Sequence, residues 1–206
     1  MQHRQAKGTA CPAWHPLNLM PNLFIIVTHA LLAALLLSAV TIDFRSRRIP
    51  NRLVLAGMVL ALAFHAFATV TGAPPLAGPA AWAPLAGLVV GFALLLPLYL
   101  LGAMGAGDVK LMAMVGAFIG AQPVLVAALY TFLAGGLLSL AFMLGRGVAA
   151  QTLANIRFML IDWFVRANTG QGARLSPLQT TASRLPYALA IALGTGSALL
   201  WPFNTP

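Results

Sequence analysis

The sequence has no glutamate, three aspartates and a single cysteine. Charged residues make up 7% of its 206 positions, against about 25% in a soluble globular chain. A water-facing surface cannot be built from so few. The lone Cys11 excludes an internal disulfide and the paired Cys-x-x-Cys spacing of a structural zinc site. With glutamate missing, all carboxylate chemistry rests on Asp43, Asp108 and Asp162. What the chain does have is apolar: 60% hydrophobic residues, a mean hydropathy of +0.89, and repeated runs near the roughly 20 residues that cross a bilayer. Soluble folds, disorder and collagen-like repeats are excluded together.

The runs predict an all-α polytopic membrane protein of about six transmembrane helices with one interfacial amphipathic helix. The first span covers about Leu23 to Ile42 and ends in the polar Asp43-Phe44-Arg45-Ser46-Arg47-Arg48. A signal peptide is disfavoured, because its apolar region would be unusually long and no small-x-small cleavage site precedes a soluble domain. Met20 directly precedes this span. Residues 1–19 are therefore expected to be a leader of doubtful translation or a disordered tail, and residues 20–206 a single membrane-embedded domain. The second and third spans, about Leu53 to Val70 and Trp82 to Gly102, are parted by the breaker cluster Gly72-Ala73-Pro74-Pro75. Pro97 is expected to kink the third near its end. After Gly105-Ala106-Gly107-Asp108-Val109-Lys110 comes a short apolar stretch, Leu111 to Ala121, then a turn expected at Gln122-Pro123 and a longer run to Leu144. Within residues 145–184, Leu153, Ile156, Leu160, Ile161 and Phe164 recur at helical spacing opposite Arg157 and Arg166, which predicts the interfacial helix. A last span runs from about Leu185 to Trp201.

Basic residues set the orientation, since cytoplasmic loops carry the excess of Lys and Arg. With the loop after the first span inside, that side holds Arg45, Arg47, Arg48, Arg52, Lys110, Arg146, Arg157, Arg166, Arg174 and Arg184, ten of the twelve. The membrane potential and anionic lipid account for this charge, and a nucleic-acid partner is not needed. Nucleic-acid binding would require a basic patch on a water-exposed surface.

Charges at membrane spans cost roughly 2.5 to 3.5 kcal/mol each at the centre, so every acid there asks for a reason. Asp43 closes the first span and Asp108 opens the fourth, and the topology puts both at the cytoplasmic interface. Two carboxylates brought close share a proton, leaving one a base and the other an acid. Aspartic proteolysis requires that pairing: the ionised member activates water and the protonated one donates to the peptide carbonyl. Gly105 and Gly107 permit close approach of a substrate strand or a facing helix, and Lys110 can reach a headgroup or a carbonyl. The Gly102, Gly105, Gly107 spacing is not a dinucleotide fingerprint, and no phosphate loop is present.

Structural readings stand beside these. Asp108 can cap the N-terminus of the fourth helix, Asp43 can pair with Arg47, and Asp162 belongs to the polar face with Arg157 and Arg166. His29 and His65, each alone in an apolar span, read as core histidines. No cofactor and no metal is predicted.

Two separated motifs resemble those of the bacterial prepilin peptidases, membrane-embedded Gly-x-Gly-Asp proteases that remove the leader from type IV pilin precursors. One is Asp43-Phe44-Arg45-Ser46-Arg47-Arg48-Ile49-Pro50-Asn51, the other Gly105-Ala106-Gly107-Asp108-Val109-Lys110-Leu111-Met112. A weaker likeness is Arg184-Leu185-Pro186-Tyr187-Ala188-Leu189-Ala190-Ile191-Ala192, similar to the start of the family's last span. The resemblance implies a catalytic pair of Asp43 and Asp108, with Gly105, Gly107, Lys110, Pro50 and Asn51 as supporting motif residues. It also implies a prepilin or pseudopilin partner and a bacterial inner membrane location with the site at the cytoplasmic face. Larger family members carry a cytoplasmic segment with paired cysteines and N-methylate their product. This chain has neither the cysteines nor the room, so methylation is not expected. The compact form resembles the tight-adherence, or Flp, pilus peptidases, whose small precursors carry a basic leader cut after Gly. A proton- or ion-coupled transport component using the same two aspartates is the alternative, but its expected inverted repeat is not found between the two halves. A presenilin-type protease shares Gly-x-Gly-Asp but sets its other Asp inside a span beside Tyr.

Overall fold

The computed structural model describes residues 19–102, 104–147 and 187–201, together with scattered positions between 154 and 169. Long apolar runs leave the backbone no water to bond, so its polar groups must be satisfied within each segment, and helix results. Among the described residues six continuous helices follow in order: α1 (Leu19–Ser46), α2 (Asn51–Thr71), α3 (Ala83–Leu100), α4 (Ala106–Ile119), α5 (Ala121–Gly145) and α6 (Tyr187–Leu200). Among the described residues there is no strand. The expectation of residues 1–19 as a leader or tail lies outside the described residues except at Leu19, which begins α1.

Four segments are long and apolar enough to cross a bilayer: Leu23–Ser46, Asn51–Thr71, Ala83–Leu100 and Ala121–Gly145. The protein is a multi-pass membrane protein. The other two expected spans are shorter, α4 and α6 having 14 residues each, which at 1.5 Å per residue is about 21 Å against a hydrocarbon core of about 30 Å. The helical positions between 154 and 169 include exposed Ile156, Phe158, Ile161 and Phe164. Leu153, Leu160 and Arg166 lie outside the described residues.

The core is α4. Every residue from Leu111 to Ile119 is buried, whereas α1, α2, α3 and α5 leave Leu37, Val59, Val89 and Leu137 exposed on their outer faces. Its closest neighbour is α3, and glycine makes the approach possible. A Cβ on Gly87 would collide with the Gly116 carbonyl, and one on Gly116 with the Gly87 carbonyl. Gly91 sits one turn on, where a Cβ would reach the Met112 carbonyl at 2.5 Å. Such small-residue faces are how helices associate in lipid, where packing rather than the hydrophobic effect holds them together.

The break between α4 and α5 falls at Gly120, not at the expected Gln122-Pro123. Gly120 has φ +86°, and its Cβ position is filled by the Ala77 carbonyl, so only glycine fits. Pro123 instead sits in the first turn of α5, where a missing N–H costs nothing. Pro97 lies inside the last turn of α3.

Candidate active site

The polar reversal between α1 and α2 is built by local bonds. The Arg47 N–H donates to the Asp43 carbonyl at 2.8 Å, and the Ser46 hydroxyl reaches Ile42 and Arg48 carbonyls at 2.9 and 3.0 Å. Arg47 takes φ +52° to end the helix. Pro50, extended at φ −69° and ψ 131°, is the N-cap of α2, and its carbonyl accepts from Leu53 N–H at 3.1 Å. Pro disfavours helix in the residue before it, so Ile49-Pro50 separates the two helices.

At the start of α4, Gly105 is the N-cap and Asp108 the third helical residue. The Gly105 N–H donates to Asp108 Oδ2 at 3.3 Å, and the Asp108 N–H donates back to the Gly105 carbonyl at 3.2 Å. Asp108 therefore does cap its helix, as the structural reading held.

These two ends meet. Ile49 lies against Gly107, where a Cβ would stand 3.2 Å from the Ile49 Cβ. The Lys110 ammonium donates to Asn51 Oδ1 at 3.0 Å. Asp43 is 8% exposed and its charge acts on Asp108. The Asp108 carboxyl, which lies outside the four long spans, is pushed up from 3.8 to about 6, by burial first and the Asp43 charge second, with the Gly105 N–H pulling the other way. A cap explains the Gly105 bond but not a second carboxylate nearby.

A third element closes the site. Asp43 Oδ2 accepts the Ala188 N–H at 3.3 Å, a bond that ties the end of α1 to the first turn of α6. Next to it stands Tyr187, whose ring lies 3.0–3.2 Å from where a Gly135 Cβ would be and whose phenol feels the Asp108 charge. The likeness at 184–192 touched this segment without assigning Tyr187 a place, and a main-chain donor such as Ala188 N–H leaves no sequence signal. Among the described residues no ion pair joins Asp43 to Arg47, so the expected pairing is replaced by the Ala188 contact. Arg45, Arg47, Arg48 and Arg52 are exposed around the site.

The remaining candidates lie elsewhere. Asp162 sits half-buried in the helical stretch between 154 and 169. His29 Nδ1 is 2.7 Å from the Ile25 carbonyl and His65 Nε2 3.1 Å from that of Ala80, both ordinary helix and loop contacts. A small, partly open pocket lined by Phe24, Thr28, Phe64, His65 and Phe118 lies at the opposite end of α1 and α4 from the two aspartates. Among the described residues no group of three or more His, Cys, Asp and Glu side chains forms a metal-binding cluster.

A buried Asp43 and a half-buried Asp108 whose charges interact at a helix junction, the first held by a backbone N–H from a third helix, can divide one proton between them and polarise a water. Searches of curated proteins and of solved structures give no match. The model of the type IV leader peptidase family, however, matches residues 30–140. That stretch is more than half of the chain and contains both aspartates and both motifs, so the chain belongs to the type IV leader peptidase family, whose members are aspartic-type proteases acting on prepilins.

Proposed function

We propose that Asp43 and Asp108 are the catalytic pair of this leader peptidase. The observation that carries the reading is the convergence of the two motifs: Asp43 with Asp108, Ile49 with Gly107, and Asn51 with Lys110. Water, activated by the ionised carboxylate, attacks the carbonyl carbon of the leader's last residue and gives up a proton to that carboxylate. The protonated partner donates to the carbonyl oxygen, forming a tetrahedral diol. Collapse of the diol breaks the C–N bond, one hydroxyl proton returns to the aspartates, and the proton held by the base passes to the leaving amine.

The raised pKa of Asp108 favours it as the acid and leaves Asp43 as the base. The substrate fitting the compact form is a small Flp-type precursor with a basic leader, cut after Gly just before its hydrophobic helix. Exposed Arg45, Arg47, Arg48 and Arg52 would repel such a leader, so their role is contact with lipid phosphates and orientation of the site toward the cytoplasm of a bacterial inner membrane. Cys11 alone gives no paired-cysteine segment, which speaks against N-methylation.

Co-expression with an Flp-type precursor tests this. Wild type shifts the precursor's mass by one cut after Gly, and Asp43→Asn and Asp108→Asn each abolish the shift at unchanged membrane levels. Asn preserves size while removing the ionisable carboxyl. Cleavage by both variants overturns the pair.

A further inference from the structure

We propose that Tyr187 is a third functional side chain of this site, a neutral hydroxyl donor to the scissile carbonyl oxygen of the bound precursor. The assignment rests on the aspartate pair proposed above. Its basis is placement. The residue after Tyr187 gives its N–H to Asp43, which fixes the first turn of α6 against one aspartate, while the phenol lies close enough to the other to feel its charge. Tyr187 thus stands on the turn that contacts Asp43, with its phenol in the field of Asp108.

The ring is held, not loose. It lies over Gly135 of α5, with Cε2, the hydroxyl oxygen and Cζ at 3.0, 3.1 and 3.2 Å from the position a Cβ would take. Any larger residue at 135 would push the hydroxyl away from where the geometry puts it. The ring is half-buried, and its hydroxyl has no hydrogen-bond partner among the described residues. A half-buried phenol left uncommitted in the field of Asp108 is available to a third party.

Hydrolysis supplies one. As water adds, the carbonyl oxygen gains charge, and donors aimed at that oxygen stabilise the transition state more than the ground state. The aspartates share one proton and so supply one donor. Tyr187 supplies a second, giving only a hydrogen bond: its own O–H bond stays intact, no covalent link to it forms, and the proton delivered to the leaving amine still comes from the pair.

Steady-state cleavage of an Flp-type precursor by the full chain in liposomes tests this with four single variants and one double variant. Tyr187→Phe keeps the ring on Gly135 and removes the hydroxyl; kcat is expected to fall about 100-fold, with KM within about twofold of wild type and the thermal midpoint unchanged. Gly135→Ala, which displaces the ring, is expected to lower kcat also, and to add nothing when combined with Tyr187→Phe. Wild-type kcat in Tyr187→Phe overturns the assignment, as does a loss that comes with a lowered thermal midpoint, which marks a packing role. Asp43→Asn and Asp108→Asn separate the two claims: inactive aspartate variants beside a fully active Tyr187→Phe leave the pair standing without the tyrosine. Active aspartate variants overturn the pair and this assignment with it.

Discussion

Asp108 carries a conflict that pH can expose. Its carboxyl holds a proton up to about 6 in the folded protein, against 3.8 unperturbed. Between those values the folded state binds more protons than the unfolded one, so stability falls as pH rises through that window and levels off above it. The thermal midpoint in detergent is expected to drop from pH 4 to pH 6.5, and Asp108→Asn to flatten the profile. Cleavage follows the same group. With Asp108 as the acid, kcat/KM rises as pH is lowered from 8 toward 6, about tenfold per unit at the steep end; a rate that instead rises with pH assigns the acid role elsewhere. The two aspartates were legible in the sequence because a chain with three acids cannot hide one at the edge of an apolar run. The alternative pairing of Asp43 with Arg47 fails for a local reason: four residues along a helix would put Arg47 near Asp43, but Arg47 leaves the helix at φ +52° and Asp43 turns to α6. The placement of Tyr187 was not legible, since its ring rests on a glycine 52 positions earlier in another helix.

At the level of the helices, the long apolar runs gave α1, α2, α3 and α5 nearly to their ends, because length and hydropathy are what a bilayer selects. The character of α4 was hidden. A helix wrapped by other helices and one facing lipid are both apolar all round, so periodicity does not tell them apart. The readable clue was Gly87 and Gly91, spaced four apart on α3, with Gly116 opposite. The same logic moved the α4–α5 break, where a close carbonyl and a positive φ at Gly120 outweigh the proline that follows. Gly87→Ala is expected to force α3 off α4 against rigid backbone, a cost of about 3 kcal/mol at the upper end for overpacking, with lost expression or a thermal midpoint many degrees lower. Gly136→Ala, in α5 with nothing within 4 Å of the added methyl, is expected to be neutral or to stabilise by about 0.5–1 kcal/mol through helix propensity. Equal effects of the two would show that α3–α4 contact is not what holds the bundle.

For the whole molecule, the ends of α1 and α3 and the starts of α2, α4 and α6 share one face of the bundle with Arg45, Arg47, Arg48, Arg52 and Lys110. Charge counting predicts that this face is cytoplasmic. In a Cys11→Ser background, Ser46→Cys is expected to react with an impermeant maleimide only after cells are permeabilised, and Thr71→Cys, at the far end of α2, in intact cells. The reverse pattern would put the aspartates outside, where a cytoplasmic leader could not reach them. The bond from Ala188 N–H to Asp43 joins the first and last helices across 145 positions of sequence. Its donor is main chain, so every side chain except proline offers it equally, and substitution surveys of residue 188 will report volume alone. At its donor the contact is thus invisible to every side-chain change but proline, and an ester in place of the 187–188 amide removes that donor alone.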